Sequence, residues 1–112
     1  MLRAVSLAVT LSLAAAPALA QDGGQLFNNQ CKICHSGGFM GPNLTGVAGG
    51  KVAAGSFNYS PALKAKGGEW TDENLDAFLK GPAAFAPGTK MMMAVPGDEN
   101  RAAIIAYLKT LK

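Results

Sequence analysis

The chain is short of the residues that many functions need. It has two cysteines, one histidine, one tryptophan and two tyrosines among 112 residues, and only 15% of its residues are charged. A formal net charge of +3, with no Lys/Arg run, is too small to argue for a nucleic-acid partner. Nor is there an aromatic platform interleaved with basic residues, as single-strand binders use. Strand signals are scarce, no internal repeat is visible, and nothing marks a second domain. The one long apolar run, Ala4 to Ala16, falls short of the roughly 20 residues that cross a bilayer as a helix.

That run reads instead as an export leader. Arg3 supplies a charged start, the apolar stretch follows, and Ala18-Leu19-Ala20 after Pro17 has the small-x-small form of a signal-peptidase site. Cleavage after Ala20 is expected, with a bacterial periplasm as the destination and residues 21–112 as one mature domain. Losing Arg3 lowers the formal charge to about +2. A domain of this size buries only about 60–65% of its unfolded surface and is marginal unaided.

Against this sparse background Cys31-Lys32-Ile33-Cys34-His35 stands out, because C-x-x-C-H is the attachment signature of a c-type haem. Two thiols can add to the two vinyl groups of the macrocycle, and the adjacent imidazole suits iron. Two other chemistries compete for these residues. In an oxidising compartment Cys31 and Cys34 can pair as a disulfide or serve a thiol–disulfide oxidoreductase. That motif belongs near a βαβ pattern, which is missing here. A structural zinc site lacks a fourth ligand paired with the three.

Apolar periodicity places helices around this motif. Gly23, Phe27, Cys31 and Cys34 fall on one side of a helix from about Asp22 to Lys32. Ser60 and Pro61 open a short helix that Gly67 stops. Thr71, with Asp72 and Glu73 behind it, opens another, whose stripe is Leu75, Phe78 and Leu79 and which ends at Gly81-Pro82. A last helix runs from about Asp98 to Leu111 with Ile104, Tyr107, Leu108 and Leu111 on one face. Ser36 to Tyr59 and Pro82 to Pro96 read as loops. Loops this long count against a compact domain unless they pack on something rigid, such as a buried macrocycle.

Two further motifs fit such a ring. A turn at Gly41-Pro42 can present a carbonyl to the second ring nitrogen of His35, the usual means of orienting a metal-bound histidine. Pro87-Gly88-Thr89-Lys90-Met91, followed by Met92 and Met93, offers a thioether, a soft neutral ligand that raises the potential of haem iron and closes its sixth position. Alone, the Met cluster reads first as adaptable core filler, and only the C-x-x-C-H motif about 60 residues upstream reverses that.

Taken in order, these segments resemble the class I cytochromes c. The resemblance rests on Gly23, Phe27, the C-x-x-C-H motif, Gly41-Pro42-Asn43-Leu44-Thr45-Gly46, Phe57-Asn58-Tyr59-Ser60, Trp70-Thr71, Leu75, Pro87 to Met91, and Ala106-Tyr107-Leu108-Lys109. It implies an all-α fold of three to five helices and loops wrapped around one haem c, with the terminal helices crossing where Gly23 and Phe27 meet Tyr107 and Leu108. It also implies thioethers at Cys31 and Cys34, proximal ligation by His35 with the Pro42 carbonyl accepting from its ring, and distal ligation by Met91. Tyr59, Trp70 and Thr89 match residues that hydrogen-bond the haem propionates. Three positions depart from the pattern. Gly50 stands where an arginine near a propionate is usual, Phe78 where a tyrosine contacts the methionine sulfur, and Met93 where an aromatic is frequent.

The function implied is that of a soluble one-electron carrier rather than an enzyme, since an iron closed on both sides has no place for a substrate. Partners of the implied kind are an oxidase, a quinol-oxidising complex, a photosynthetic reaction centre or a periplasmic dehydrogenase, met by a monomer that does not insert into membranes. Lys32 and Lys90, with Lys64, Lys66 and Lys80, are candidates for a docking patch that would make transfer depend on salt, or are scattered solvated charges. The rival within the same chemistry is a haem protein whose Met91 is displaced by ligands.

Overall fold

The computed structural model describes residues 4–10 and 22–112, so the expected cleavage motif Ala18-Leu19-Ala20 lies outside the described residues. Five α-helices carry the fold: α1 (Gly23–Leu26), α2 (Pro61–Lys66), α3 (Asp72–Lys80), α4 (Pro82–Phe85) and α5 (Asp98–Leu108). Among the described residues the only extended pairing is a single bridge between Lys51 and Glu69. Among the described residues no helix is long and apolar enough to cross a membrane.

The helix starts follow from local chemistry. Asp22 accepts from the Gly24 amide, Ser60 from Leu63 at 3.2 Å and Thr71 from Asn74 at 3.1 Å, each satisfying an orphan donor of a first turn. Asp72 and Glu73 sit against the positive end of α3. Gly67 stops α2 with φ 62°, a conformation that suits glycine. Ser60 is buried, so Ser60→Ala should lower stability by about 1 kcal/mol in denaturant unfolding.

Three boundaries differ from the sequence-based expectation. The first helix does not stay α-helical to Lys32. Beyond Leu26 it widens into a π-helical stretch, Phe27–Cys31, closed by the Lys32 amide on the Phe27 carbonyl at 2.9 Å. The Pro82–Pro96 loop contains α4, because Pro82 occupies a first helical turn, where a missing N–H costs nothing. Finally, α5 stops at Leu108, and the chain continues in tight turns to Leu111, whose carbonyl accepts from Gly46 at 2.6 Å.

The core is centred on the crossing of α1 and α5. Phe27 and Tyr107 stack obliquely at 5.1 Å, and Leu26, Ile104, Ile105 and Leu108 are buried around them. Glycine is required at the crossing point: a Cβ on Gly23 would lie 2.0 Å from the Ala103 carbonyl oxygen. Behind it, Leu75 and Leu79 of α3 join the same core, together with Val95 and Ala86. α3 also packs on α5, and an ion pair from Lys109 to Asp72 at 2.7 Å spans the two.

Candidate functional site

The π-helical stretch ends on Cys31, and the chain turns at once. The amides of Cys34 and His35 both donate to the Cys31 carbonyl at 3.1 Å. This turn gathers the two cysteines and the histidine at the end of one rigid element. Both thiols are free; Cys31 is buried and Cys34 half-buried. Burial pushes the Cys31 thiol up, so it stays protonated at neutral pH. A thiol–disulfide oxidoreductase needs the opposite, a stabilised thiolate in an electropositive setting.

His35 is oriented by the next turn. Its Nδ1–H donates to the Pro42 carbonyl at 2.8 Å, so the proton resides on Nδ1 and the Nε2 lone pair is left for a metal. Gly41, which is buried, makes this approach possible. A Cβ there would stand 3.1 Å from His35 Cε1 and Nδ1 and 2.9 Å from the Cys34 carbonyl oxygen. Gly41→Ala should therefore push the imidazole off the Pro42 carbonyl. The readout is the hydrogen-bonded Nδ1–H resonance of His35 in proton NMR, and an unshifted resonance would show that the ring is held otherwise.

Beside His35 opens a cleft of ≈ 560 Å³ between Gly41-Pro42-Asn43 on one side and Phe57-Asn58-Tyr59 on the other. The Tyr59 hydroxyl accepts from the Gly55 amide at 3.2 Å, which leaves its own proton to donate. The methionine segment is fastened to the same loop: Lys90 donates to the Asn58 carbonyl at 2.6 Å and lies 5.6 Å above the Phe57 ring. Met91 is half-buried and packs against the core, whereas Met92 is 91% exposed. The methionine run is thus divided by the fold, with Met91 inward and Met92 in solvent.

Trp70 and Thr89 are buried, and Trp70 forms an aromatic cluster with Phe78 at 5.1 Å and Phe85 at 5.6 Å. Phe78 is held in this cluster edge-on to Phe85. At Gly50 a Cβ would lie 2.9 Å from the Gly46 carbonyl oxygen, so the turn here is too tight for the arginine usual in the family. Of the candidate docking lysines, Lys90 is tied to Asn58, and Lys66 lies 4.4 Å above the Phe85 ring.

Several contributors carry little signal in the sequence. Gly41 reads there as part of a turn, not as the steric clearance for an imidazole. Lys90 reads there as a docking or solvated charge, not as a tether to Asn58. Arg101 is 3% exposed and contacts Asp76, Asp98 and the Val95 carbonyl. Its neighbour Asp76 hydrogen-bonds it and raises its pKa further. A signal for Arg101 did exist. It precedes Ile104, Ile105 and Leu108 at helical spacing, and a charge on an apolar stripe marks a buried, paired group.

A small all-helical domain that presents two thiols and an oriented imidazole on one turn, facing loops with no partner sheet, is the framework of a covalent haem protein. A family model described as Cytochrome c matches residues 20–112. The chain is 41% identical over 96 residues to the cytochrome c of Tetrahymena pyriformis, covering 82% of this chain and 88% of that one. It is 44% identical over 97 residues to the "Cytochrome c-type cyt cy" of Rhodobacter capsulatus, covering 82% of this chain but 49% of that protein. The chain thus spans about half the length of that relative, and the same holds for a cytochrome c homolog of Bradyrhizobium diazoefficiens, of which it covers 49%. Among solved structures, cytochrome cH from Methylobacterium extorquens superposes with a TM-score of 0.72 at 38% identity, covering 81% of this chain and 97% of that one.

The chain belongs to the cytochrome c family. Its cofactor is haem c, and Cys31 and Cys34 are the cysteines of the attachment motif. The residues present fit that group: two unpaired thiols at the required spacing and an imidazole whose proton is fixed on the far nitrogen. Family and fold make this an electron-carrying haem protein.

Proposed function

We propose that this protein is a periplasmic single-electron carrier in which His35 and Met91 close both axial positions. Bound haem c supplies a reversible one-electron Fe(III)/Fe(II) couple. The chain's own contribution is orientation, burial and exclusion of other ligands. The Pro42 carbonyl holds the His35 ring and raises its basicity through Nδ1–H. Met91 offers a neutral thioether from a segment that Lys90 fastens to Asn58. Tyr59, Trp70 and Thr89 supply donors suited to the propionates, with Tyr59 steadied by Gly55. With no open coordination position there is no enzymatic step, and residues 1–20 act as a leader removed on export to the periplasm.

The observation that carries this reading is the 2.8 Å contact from His35 Nδ1 to Pro42 O. It gives the histidine no purpose in a disulfide enzyme and a direct one in axial ligation. Phe78, which presents no hydroxyl, is the feature favouring the rival reading of a displaceable Met91. Carbon monoxide separates the two. A ferrous spectrum unchanged under carbon monoxide, with a one-electron Nernst slope, supports the carrier. Rapid formation of a carbon monoxide complex supports the ligand-binding haem protein instead.

Location and partners have their own tests. The protein recovered from the periplasmic fraction should begin at Gln21, and a mature N-terminus elsewhere overturns the leader assignment. The proposed partners are an oxidase, a quinol-oxidising complex, a reaction centre or a dehydrogenase. With a formal net charge of only +3 on the whole chain, steering by the lysines should be modest. Transfer rates with such partners should then fall only a few-fold between low and physiological salt.

A further inference from the structure

Arg101 is almost sealed from solvent, and each of its guanidinium nitrogens has a different partner. Nε donates to Asp76 Oδ1 of α3 at 2.7 Å, Nη1 to the Val95 carbonyl at 3.0 Å, and Nη2 to Asp98 Oδ1 one turn earlier on α5. Val95 is the pivot of this arrangement. Its own amide donates to the Leu79 carbonyl of α3 at 2.7 Å, and its side chain is fully buried. Both backbone polar groups of Val95 are therefore fixed, one by α3 and the other by Arg101.

Val95 ends the short segment that begins at Met91, and residues 91–95 have no helical or strand bonding of their own. Four residues of chain reach at most about 14 Å, so the thioether is tethered within that distance of the fixed point. The other end of the segment is held by Lys90 on Asn58 and by the Thr89 amide on the Ala86 carbonyl at 2.9 Å. Between two anchors the segment has few ways to move, and release of either anchor gives the Met91 sulfur room to leave.

We propose that Arg101 is a positioning residue for axial ligation: by clamping the Val95 carbonyl to α3 and α5, it sets how often the Met91 segment swings away from the iron. This rests on the Met91 ligation reading above. Arg101 does not act on the haem itself. A lysine in its place keeps the charge but has one nitrogen, and cannot reach Asp76, Asp98 and Val95 in the same planar fork.

Imidazole binding to the ferric holoprotein reads out this opening, because apparent affinity scales with the population in which Met91 has left. Arg101→Lys should tighten imidazole binding roughly tenfold, the factor that follows from losing one hydrogen bond to a charged group. The control is Lys109→Met, which breaks another α3–α5 ion pair, to Asp72, without touching residues 91–95. It should leave imidazole affinity within about twofold of wild type, as expected for an exposed pair. Equal changes in both variants, or none in Arg101→Lys, would show a merely structural arginine and overturn the proposal. Should Arg101→Lys fail to fold, Asp76→Ala removes the acceptor of Nε, one fixed point of the fork, while leaving Arg101 in place. It should shift imidazole affinity in the same direction, and a wild-type affinity there counts against the clamp. Met91→Ala keeps the two questions apart: if it binds imidazole no more tightly than wild type, the ligand assignment fails, whatever Arg101 does.

Discussion

Gly23→Ala is expected to cost about 3 kcal/mol or more of stability, the upper end of what overpacking a core does. The reason is geometric. The added Cβ would sit 2.0 Å from the Ala103 carbonyl oxygen and 2.7 Å from its carbon, both backbone atoms that cannot rotate away. The crossing of α1 and α5 must open, and the contacts of Phe27 with Tyr107 and of Leu26 with the α5 stripe open with it. Gly24→Ala, one residue along, is the matched control. There the nearest atoms are the Asp22 carboxylate and the Tyr107 ring edge, each at 3.3 Å and each able to give way. The helical gain of alanine over glycine, roughly 0.5–1 kcal/mol, offsets that crowding and leaves Gly24→Ala close to wild type. Denaturant unfolding of both holoproteins checks the pair, and two small, similar losses would mean that the helices do not cross at Gly23.

Met91→Ala carries the largest expected functional effect. On the proposed His35/Met91 ligation, loss of the thioether opens the sixth position and removes the ligand that keeps the potential high. A fall on the order of 0.1 V is expected, well inside the ~0.8 V that axial ligands span across haem proteins. Met92→Ala should leave the potential and the ferric Met–iron charge-transfer band in place, because Met92 projects into solvent. Met93→Ala should do the same. If instead Met92→Ala removes the band and Met91→Ala does not, the ligand register along the run is wrong by one residue.

Much of this was readable in the chain because the signals are local. Ser60 and Thr71 cap their helices within three residues, and Asp72 and Glu73 serve the turn they occupy. The spacing of Ile104 and Leu108 states which face is buried. The C-x-x-C-H motif and the Gly41-Pro42 turn are likewise short-range, and the Pro42 carbonyl accepts from His35 as the family resemblance implied. What was missed depends on distant partners or on two readings of one residue. In the sequence Pro82 reads as a stop, yet a proline that ends one helix can occupy the first turn of the next, and α4 does this. The widening of the first helix at Phe27–Cys31 changes no apolar spacing that periodicity can register. Lys90 finds its acceptor 32 residues away, and Arg101 finds Asp76 25 residues away; no window along the chain contains both ends. The tight turn at Gly50 explains the missing arginine only once the Gly46 carbonyl is seen beneath it.

The central claim is a haem iron closed by His35 and Met91, and the absorbance spectrum of the purified protein, ferrous and then ferric, tests it most directly. The account predicts a low-spin c-type ferrous spectrum and a weak ferric charge-transfer band at the red edge of the visible. A high-spin ferric spectrum without that band, or a protein lacking haem with Cys31 and Cys34 joined as a disulfide, would contradict it.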